Sequence, residues 1–140
     1  MSGDPRAPVA GGCLCGGMRY RIDAPPRDVV HCHCAMCRHG SGAPVMTWVV
    51  VPREAFVLER GQPAVYRSSD HGERRFCPDC GAQIAFVSTR EPQTMDVALG
   101  SLDRPDAHPA SHHIWLESRI HWLHLDEQLP GQQQETPPDG

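Results

Sequence analysis

Seven cysteines fall in three tight groups: Cys13-x-Cys15, Cys32-x-Cys34-x-x-Cys37 and Cys77-x-x-Cys80. No other feature constrains the fold of this chain so strongly. Thiols this close in sequence suit one metal ion better than they suit disulfides. The count then divides the work. Two doublets supply four sulfurs, a complete tetrahedral set, and the triplet supplies three and leaves one position open. A filled site is scaffold; an open site can do chemistry.

The rest of the composition fits a small, turn-rich domain. The chain has 140 residues, of which 39% are hydrophobic, with 14 Pro and 13 Gly. That length suits one domain, and that much punctuation favours short strands over long helices. A net charge of -4 gives no broad basic field, which argues against nucleic-acid binding. No apolar run approaches the roughly 20 residues that span a bilayer, so no membrane partner is expected. The first ten residues lack the apolar core of a signal peptide. A cytoplasmic, reducing compartment is therefore expected, where clustered cysteines read as metal ligands or redox groups. Residues 1–10 and 131–140 read as disordered tails flanking one zinc-binding domain at 11–130.

Short β signals fill that domain. Residues 18–22 alternate apolar and polar, as a half-buried strand does. Residues 45–51 are β-branched and nearly continuous, which suits a central strand ended by Pro52. Further strands are expected at 56–58, 64–66, 83–87, 95–99 and 113–116. Residues 34–39 invite a helical turn too short to matter as an element. The fold class is mainly β, built of several short coiled sheets around zinc sites.

Cys77-Pro78-Asp79-Cys80-Gly81 has the form of a zinc knuckle. Pro78 presets the turn, and Gly81 permits the unusual backbone angle after the second sulfur. The rival, a redox Cys-x-x-Cys, would normally open a helix in a βαβ setting that is missing here. One knuckle holds half a site, and Cys13 and Cys15, flanked by glycines, are its natural partners. Joining them closes a loop of more than 60 residues, at an entropic cost that grows slowly with length. Metal binding contributes on the order of 10 kcal/mol to folding. Pairing Cys13 and Cys15 with two middle cysteines is disfavoured, because it strands one thiol and leaves Cys77 and Cys80 short of ligands. Cys32, Cys34 and Cys37 form a compact tripod. Its fourth position is open to an exchangeable ligand or to one of His31, His33, His108, His112 and His113.

Together these residues resemble the glutathione-dependent formaldehyde-activating enzyme (GFA) family, which includes centromere protein V. The resemblance covers 11–130. It is carried by Gly12-Cys13-Leu14-Cys15-Gly16 with Arg19-Tyr20, and by Cys32-His33-Cys34-Ala35-Met36-Cys37-Arg38. Tyr66-Arg67-Ser68-Ser69, Arg75-Phe76-Cys77-Pro78-Asp79-Cys80-Gly81 and Ile114-Trp115-Leu116-Glu117-Ser118, with Trp122 and Leu129-Pro130, complete it. It implies the coiled-sheet fold of the Mss-type proteins and two zinc ions per chain. Cys13, Cys15, Cys77 and Cys80 would hold a structural zinc. Cys32, Cys34 and Cys37 would hold the catalytic one. It also implies a carbon–sulfur lyase that handles S-hydroxymethylglutathione, with glutathione and formaldehyde as substrates.

A zinc held by three thiolates is a weaker Lewis acid than one held by three histidines, and a soft match for a thiol. The expected partners are therefore a small thiol such as glutathione and a small aldehyde. Arg38, beside the tripod, is a candidate for a substrate carboxylate. His33 is a candidate proton relay, and Ser68 and Ser69 candidate pocket residues. Arg67 and Arg74 are weaker ones, and Trp48 reads as core. Two alternatives stand beside the enzyme: a zinc-stabilised binding module, and a redox sensor using the tripod thiols.

Overall fold

The protein is described here from a computed structural model covering residues 8–125, 129–130 and 133–134. Residues 1–7 and most of 131–140 lie outside the described residues, and with them most of the two expected tails. The boundary drawn at residue 11 falls inside a strand, since β1 runs Val9–Gly12 and Val9 is buried.

Ten strands are found among the described residues. A three-stranded antiparallel sheet has the order β1-β2-β5, with β2 Arg19–Ile22 and β5 Phe56–Arg60. A seven-stranded sheet has the order β10-β3-β4-β9-β8-β7-β6. Its strands are β3 Asp28–Cys32, β4 Met46–Pro52, β6 Ala64–Arg67, β7 Gly72–Phe76, β8 Gln83–Ser88, β9 Glu91–Ala98 and β10 His112–Ile114. Among the described residues only the β10–β3 pair is parallel. No described helix is long and apolar enough to cross a membrane.

The mainly β reading is correct, with differences that have local causes. Strands β1, β3 and β7 carry weak signals. β1 is half glycine, β3 runs from Val29-Val30 straight into His31-Cys32, and β7 reads Gly-Glu-Arg-Arg-Phe. Each is a strand because its neighbours pair with it, β7 on both edges. The expected strand at 113–116 stops at Ile114, because Trp115 adopts a left-handed conformation (φ 58°). The turn at 34–39 does matter. It is a helix, α1 (Ala35–Ser41), capped at its start by Cys34 Sγ, which accepts from the Cys37 amide at 3.2 Å.

The large sheet is covered on both faces. Val49, Val97 and Ala85 form one cross-strand row, all at 1% exposure or less. They pack with Tyr20, Ile22 and Met18 of the small sheet's side into the main core. A strand's side chains alternate between faces, so Trp48, Ala98 and Phe86 point the other way. There they meet Val30, Cys32 and Cys37 in a second apolar cluster. That second face carries the candidate site.

Candidate metal centres and the adjoining cavity

The first cysteine cluster joins two turns that are distant in sequence. Cys13 and Cys15 lie between β1 and β2, and Cys77 and Cys80 between β7 and β8. The two turns are built alike. The amide of Gly16 donates to Cys13 O at 3.2 Å and that of Gly81 to Cys77 O at 2.8 Å. Both glycines sit at φ 79°, a region a side chain rarely enters. The four sulfurs lie within 4.8 Å of one another. Cys13 Sγ is 3.6 Å from Cys15 Sγ, which is 3.8 Å from Cys77 Sγ. Sulfurs about 2.3 Å from a tetrahedral zinc are separated by about 3.8 Å, so this donor set could hold such an ion. The Met18 amide donates to Cys13 Sγ at 3.1 Å, which favours a thiolate there.

The second cluster sits where β3 ends and α1 begins. Cys32, Cys34 and Cys37 bring their sulfurs within 4.8 Å of one another. Among the described residues no histidine or carboxylate joins either group. The structure also keeps Cys13 and Cys15 away from the tripod, so the alternative pairing of ligands is not formed. All seven cysteines are free thiols.

Without an ion, charge in each cluster gathers on one sulfur, as coupled groups require. Burial opposes ionisation of Cys13, yet the Met18 amide and the three neighbouring thiols hold it down to about 6. Cys15, despite the Gly17 amide, is driven up to about 12 by Cys13 and Cys77. In the tripod, the Cys32 thiol, then Cys34, the Trp48 indole and Arg74 bring Cys37 down to about 5 against burial. Cys32 rises in response to Cys37 and to burial. A cation at either centre would let the remaining thiols ionise as well.

The tripod forms one wall of a cavity of about 570 Å³. Met36, Trp48, Phe86, Ile114 and Trp115 supply its apolar surface, and Ser68, Ser69, His71, Arg74, Arg90 and Asp96 its polar groups. Arg74 is buried, and both its terminal nitrogens lie 3.8 Å from Cys37 Sγ. Its guanidinium stacks over Phe86 at 5.0 Å from the ring centroid. A cation thus faces the most acidic thiol of the tripod.

The residues singled out from the sequence separate into two groups. Ser68, Ser69 and Arg74 line the cavity, and the Ser68 hydroxyl is buried without a hydrogen-bond partner. Arg38 and His33 do not line it. Arg38 lies on α1 with its Nε buried and unpartnered. His33 is buried with Nε2 2.9 Å from His113 Nδ1, and the His33 amide donates to Ile114 O, so both contacts fasten β10 to β3. Burial and then His113 and Arg119 push its pKa down. Arg67 turns away to donate to Asp70 O at 3.0 Å. Trp48 is core as expected, but its ring also forms cavity wall.

Asp96 escaped the sequence reading. It lies in the middle of β9, opposite Phe86 on β8 and Val50 on β4. Its one signal was a charge inside an apolar strand, which a half-buried strand would simply turn to solvent.

Comparisons agree with this picture. A protein of Rhodobacter sphaeroides with a known crystal structure shares the fold at a TM-score of 0.61 and 20% identity, over 74% of this chain and 98% of that one. An uncharacterized lyase of Schizosaccharomyces pombe is 30% identical over 79 residues, 56% of this chain. The match spans 57% of that relative's length. The sequence profile of the glutathione-dependent formaldehyde-activating enzymes matches residues 8–118, which include both cysteine clusters and most of the cavity wall. The chain belongs to the glutathione-dependent formaldehyde-activating enzyme family.

Proposed function

We propose that the protein is a zinc-dependent carbon–sulfur lyase of the glutathione-dependent formaldehyde-activating type. It forms and cleaves a thiol–aldehyde adduct such as S-hydroxymethylglutathione. The observation that carries this reading is a three-thiol tripod in the wall of a cavity with a buried arginine beside it. Cys13, Cys15, Cys77 and Cys80 would hold a structural zinc, and Cys32, Cys34 and Cys37 a second. A zinc bound by three thiolates supplies a soft position at which an incoming thiol loses its proton.

The chain's own groups do the rest. Three ionised cysteines and a divalent cation carry a net charge of about -1. Arg74, beside Cys37, offsets that charge and makes the centre more receptive to an anionic thiolate. Ser68 presents its unpartnered hydroxyl, and Ser69 lies next to it, for polar parts of the thiol. Arg90, exposed at the cavity, is placed to meet a carboxylate of glutathione. Trp48 and Phe86 exclude water, and held reactants gain from proximity. In synthesis a carbon–sulfur bond forms, the thiol proton departs and the aldehyde oxygen takes a proton; cleavage reverses each step. The domain would work in a reducing, cytoplasmic compartment, where free thiols persist.

Because thiols and formaldehyde combine unaided, the test must measure exchange. Magnetisation-transfer NMR with ¹³C-formaldehyde and glutathione reports how fast the adduct forms and breaks. Protein with two zinc ions should accelerate that exchange, and protein with Cys34→Ser should not. Thiol binding with no acceleration would instead make the protein a binding module.

A further inference from the structure

We propose that Asp96 is a catalytic acid–base residue of the cavity, carrying the proton that the adduct hydroxyl loses on cleavage and regains on synthesis. This rests on the lyase reading above and deepens it.

The first support is position. β9 lies between β4 and β8, away from either sheet edge. Pairing of Arg74 with Phe86, and of Phe86 with Asp96, sets the three in one cross-strand row on the cavity face. Asp96 lines the same cavity as Cys32, Cys34 and Cys37. Substrate held against the tripod therefore lies in the space the carboxyl faces.

The second support is the lack of a structural role. An inward carboxyl on a central strand is costly unless paired. Among the described residues nothing hydrogen-bonds to the Asp96 carboxyl, and its surroundings act on it only through burial and neighbouring charge. Arg74, in the same row, is turned to Cys37 Sγ and Phe86 and closes no ion pair with it. A half-buried carboxyl with no structural partner, set in a cleft beside a reactive cluster, marks a functional group.

The groups that face Asp96 tune it to the task. Burial acts first, followed by Glu91 on its own strand and Cys37 on α1, and Arg74 on β7 opposes them. Cys32, Cys34, His71 and Arg90 complete the ionisable lining. The carboxyl is pushed up to about 6, where one group can both accept and donate a proton near neutrality.

In cleavage, the Asp96 carboxylate takes the hydroxyl proton of the adduct. The oxygen's electron pair forms the carbonyl, the carbon–sulfur bond breaks, and its pair leaves on sulfur as thiolate. In synthesis, thiolate adds to the carbonyl carbon and the Asp96 carboxylic acid protonates the oxygen. One proton moves each way, and no oxidant or reductant is needed.

The test compares wild type with Asp96→Asn and Asp96→Glu, using glutathione and ¹³C-formaldehyde from pH 5 to 8. Metal content and thiol binding are measured in parallel, the latter by calorimetry. Asn should lower adduct exchange at least about 100-fold while metal content and thiol binding stay at wild-type levels. Wild-type cleavage should rise with pH through an ionisation near 6 that the Asn variant lacks, and Glu should restore part of the rate. Should Asn fail to fold, Asp96→Ser must show the same loss. Undiminished exchange with a wild-type pH profile in a folded variant lacking the carboxyl overturns the role alone. A wild type that binds thiol without accelerating exchange overturns the lyase reading and this role together.

Discussion

Replacing Asp96 by Asn should make the protein more stable at neutral pH, and the size of the gain follows from the cavity. Burial, Glu91 and Cys37 raise the carboxyl from its usual 3.8 to about 6. The folded protein therefore holds a proton at pH values where the unfolded chain has already lost it. The associated stability is whole below the unfolded value and is lost as pH rises through 6. Above that, ionised Asp96 burdens the fold by about 3 kcal/mol. Asn fills the same space with no charge to bury. At pH 7.5 the variant should unfold at a higher urea midpoint by about that free energy, on the order of 10 °C in melting temperature for a chain of this size. At pH 5 the advantage should shrink to about half, because folded wild type is then largely protonated. The assay is urea unfolding of both proteins at pH 7.5 and 5.0 with zinc held constant, so that changes at the cysteines cancel. A variant less stable than wild type at pH 7.5, or an advantage equal at both pH values, would refute the argument. Lost activity with gained stability is the pattern expected of a group kept for chemistry.

The two clusters should respond differently to loss of one sulfur. Cys34→Ser should stay folded with one metal equivalent fewer by atomic emission, because serine is itself a good N-cap for α1. Cys80→Ser should unfold or aggregate the chain, since it opens the clamp between the β1–β2 and β7–β8 turns. Gly11→Ala should lower stability by about 1–3 kcal/mol or more in denaturant titration. Its Cβ would lie 2.4 Å from both Ser101 O and the Tyr20 hydroxyl, which is itself bonded to Ser101 Oγ at 2.6 Å. Arg74→Met should weaken calorimetric binding of glutathione and of 2-mercaptoethanol alike, each about tenfold, because both thiols bind as thiolates beside Cys37. Undiminished binding of both thiols would mean that Arg74 only packs.

Much of the candidate site was legible in the residues. The spacing within each cysteine group is a local constraint, and ligand counting separated four sulfurs from three. The structure brings together those same two sets. Strong β runs such as β4 and β8 were legible because their side chains suit a pleated, buried surface. Strand β7 was not, since Glu73, Arg74 and Arg75 read as surface and its pairing is supplied by β6 and β8. Arg38 drew attention by sequence adjacency to Cys37, yet one helical residue turns the side chain by about 100° away from its neighbour. Arg74, 37 residues away, is the arginine that meets that sulfur.

The sequence by itself determined which thiols could share an ion, because that depends on a few bonds of chain between them. It also determined that the domain would be built of short strands, through its turn residues and β-branched runs. Only the tertiary structure decided which face of each strand would be cavity. Alternation puts Asp96 opposite Met95 and Val97, but alternation alone leaves that second face to water. Packing of Cys34, Met36, Ile114 and Trp115 around it, from segments far off in sequence, made it an interior. Whether a carboxylate on a strand is a solvated charge or a half-buried reactive group is a property of its surroundings, and those are assembled only when the chain folds.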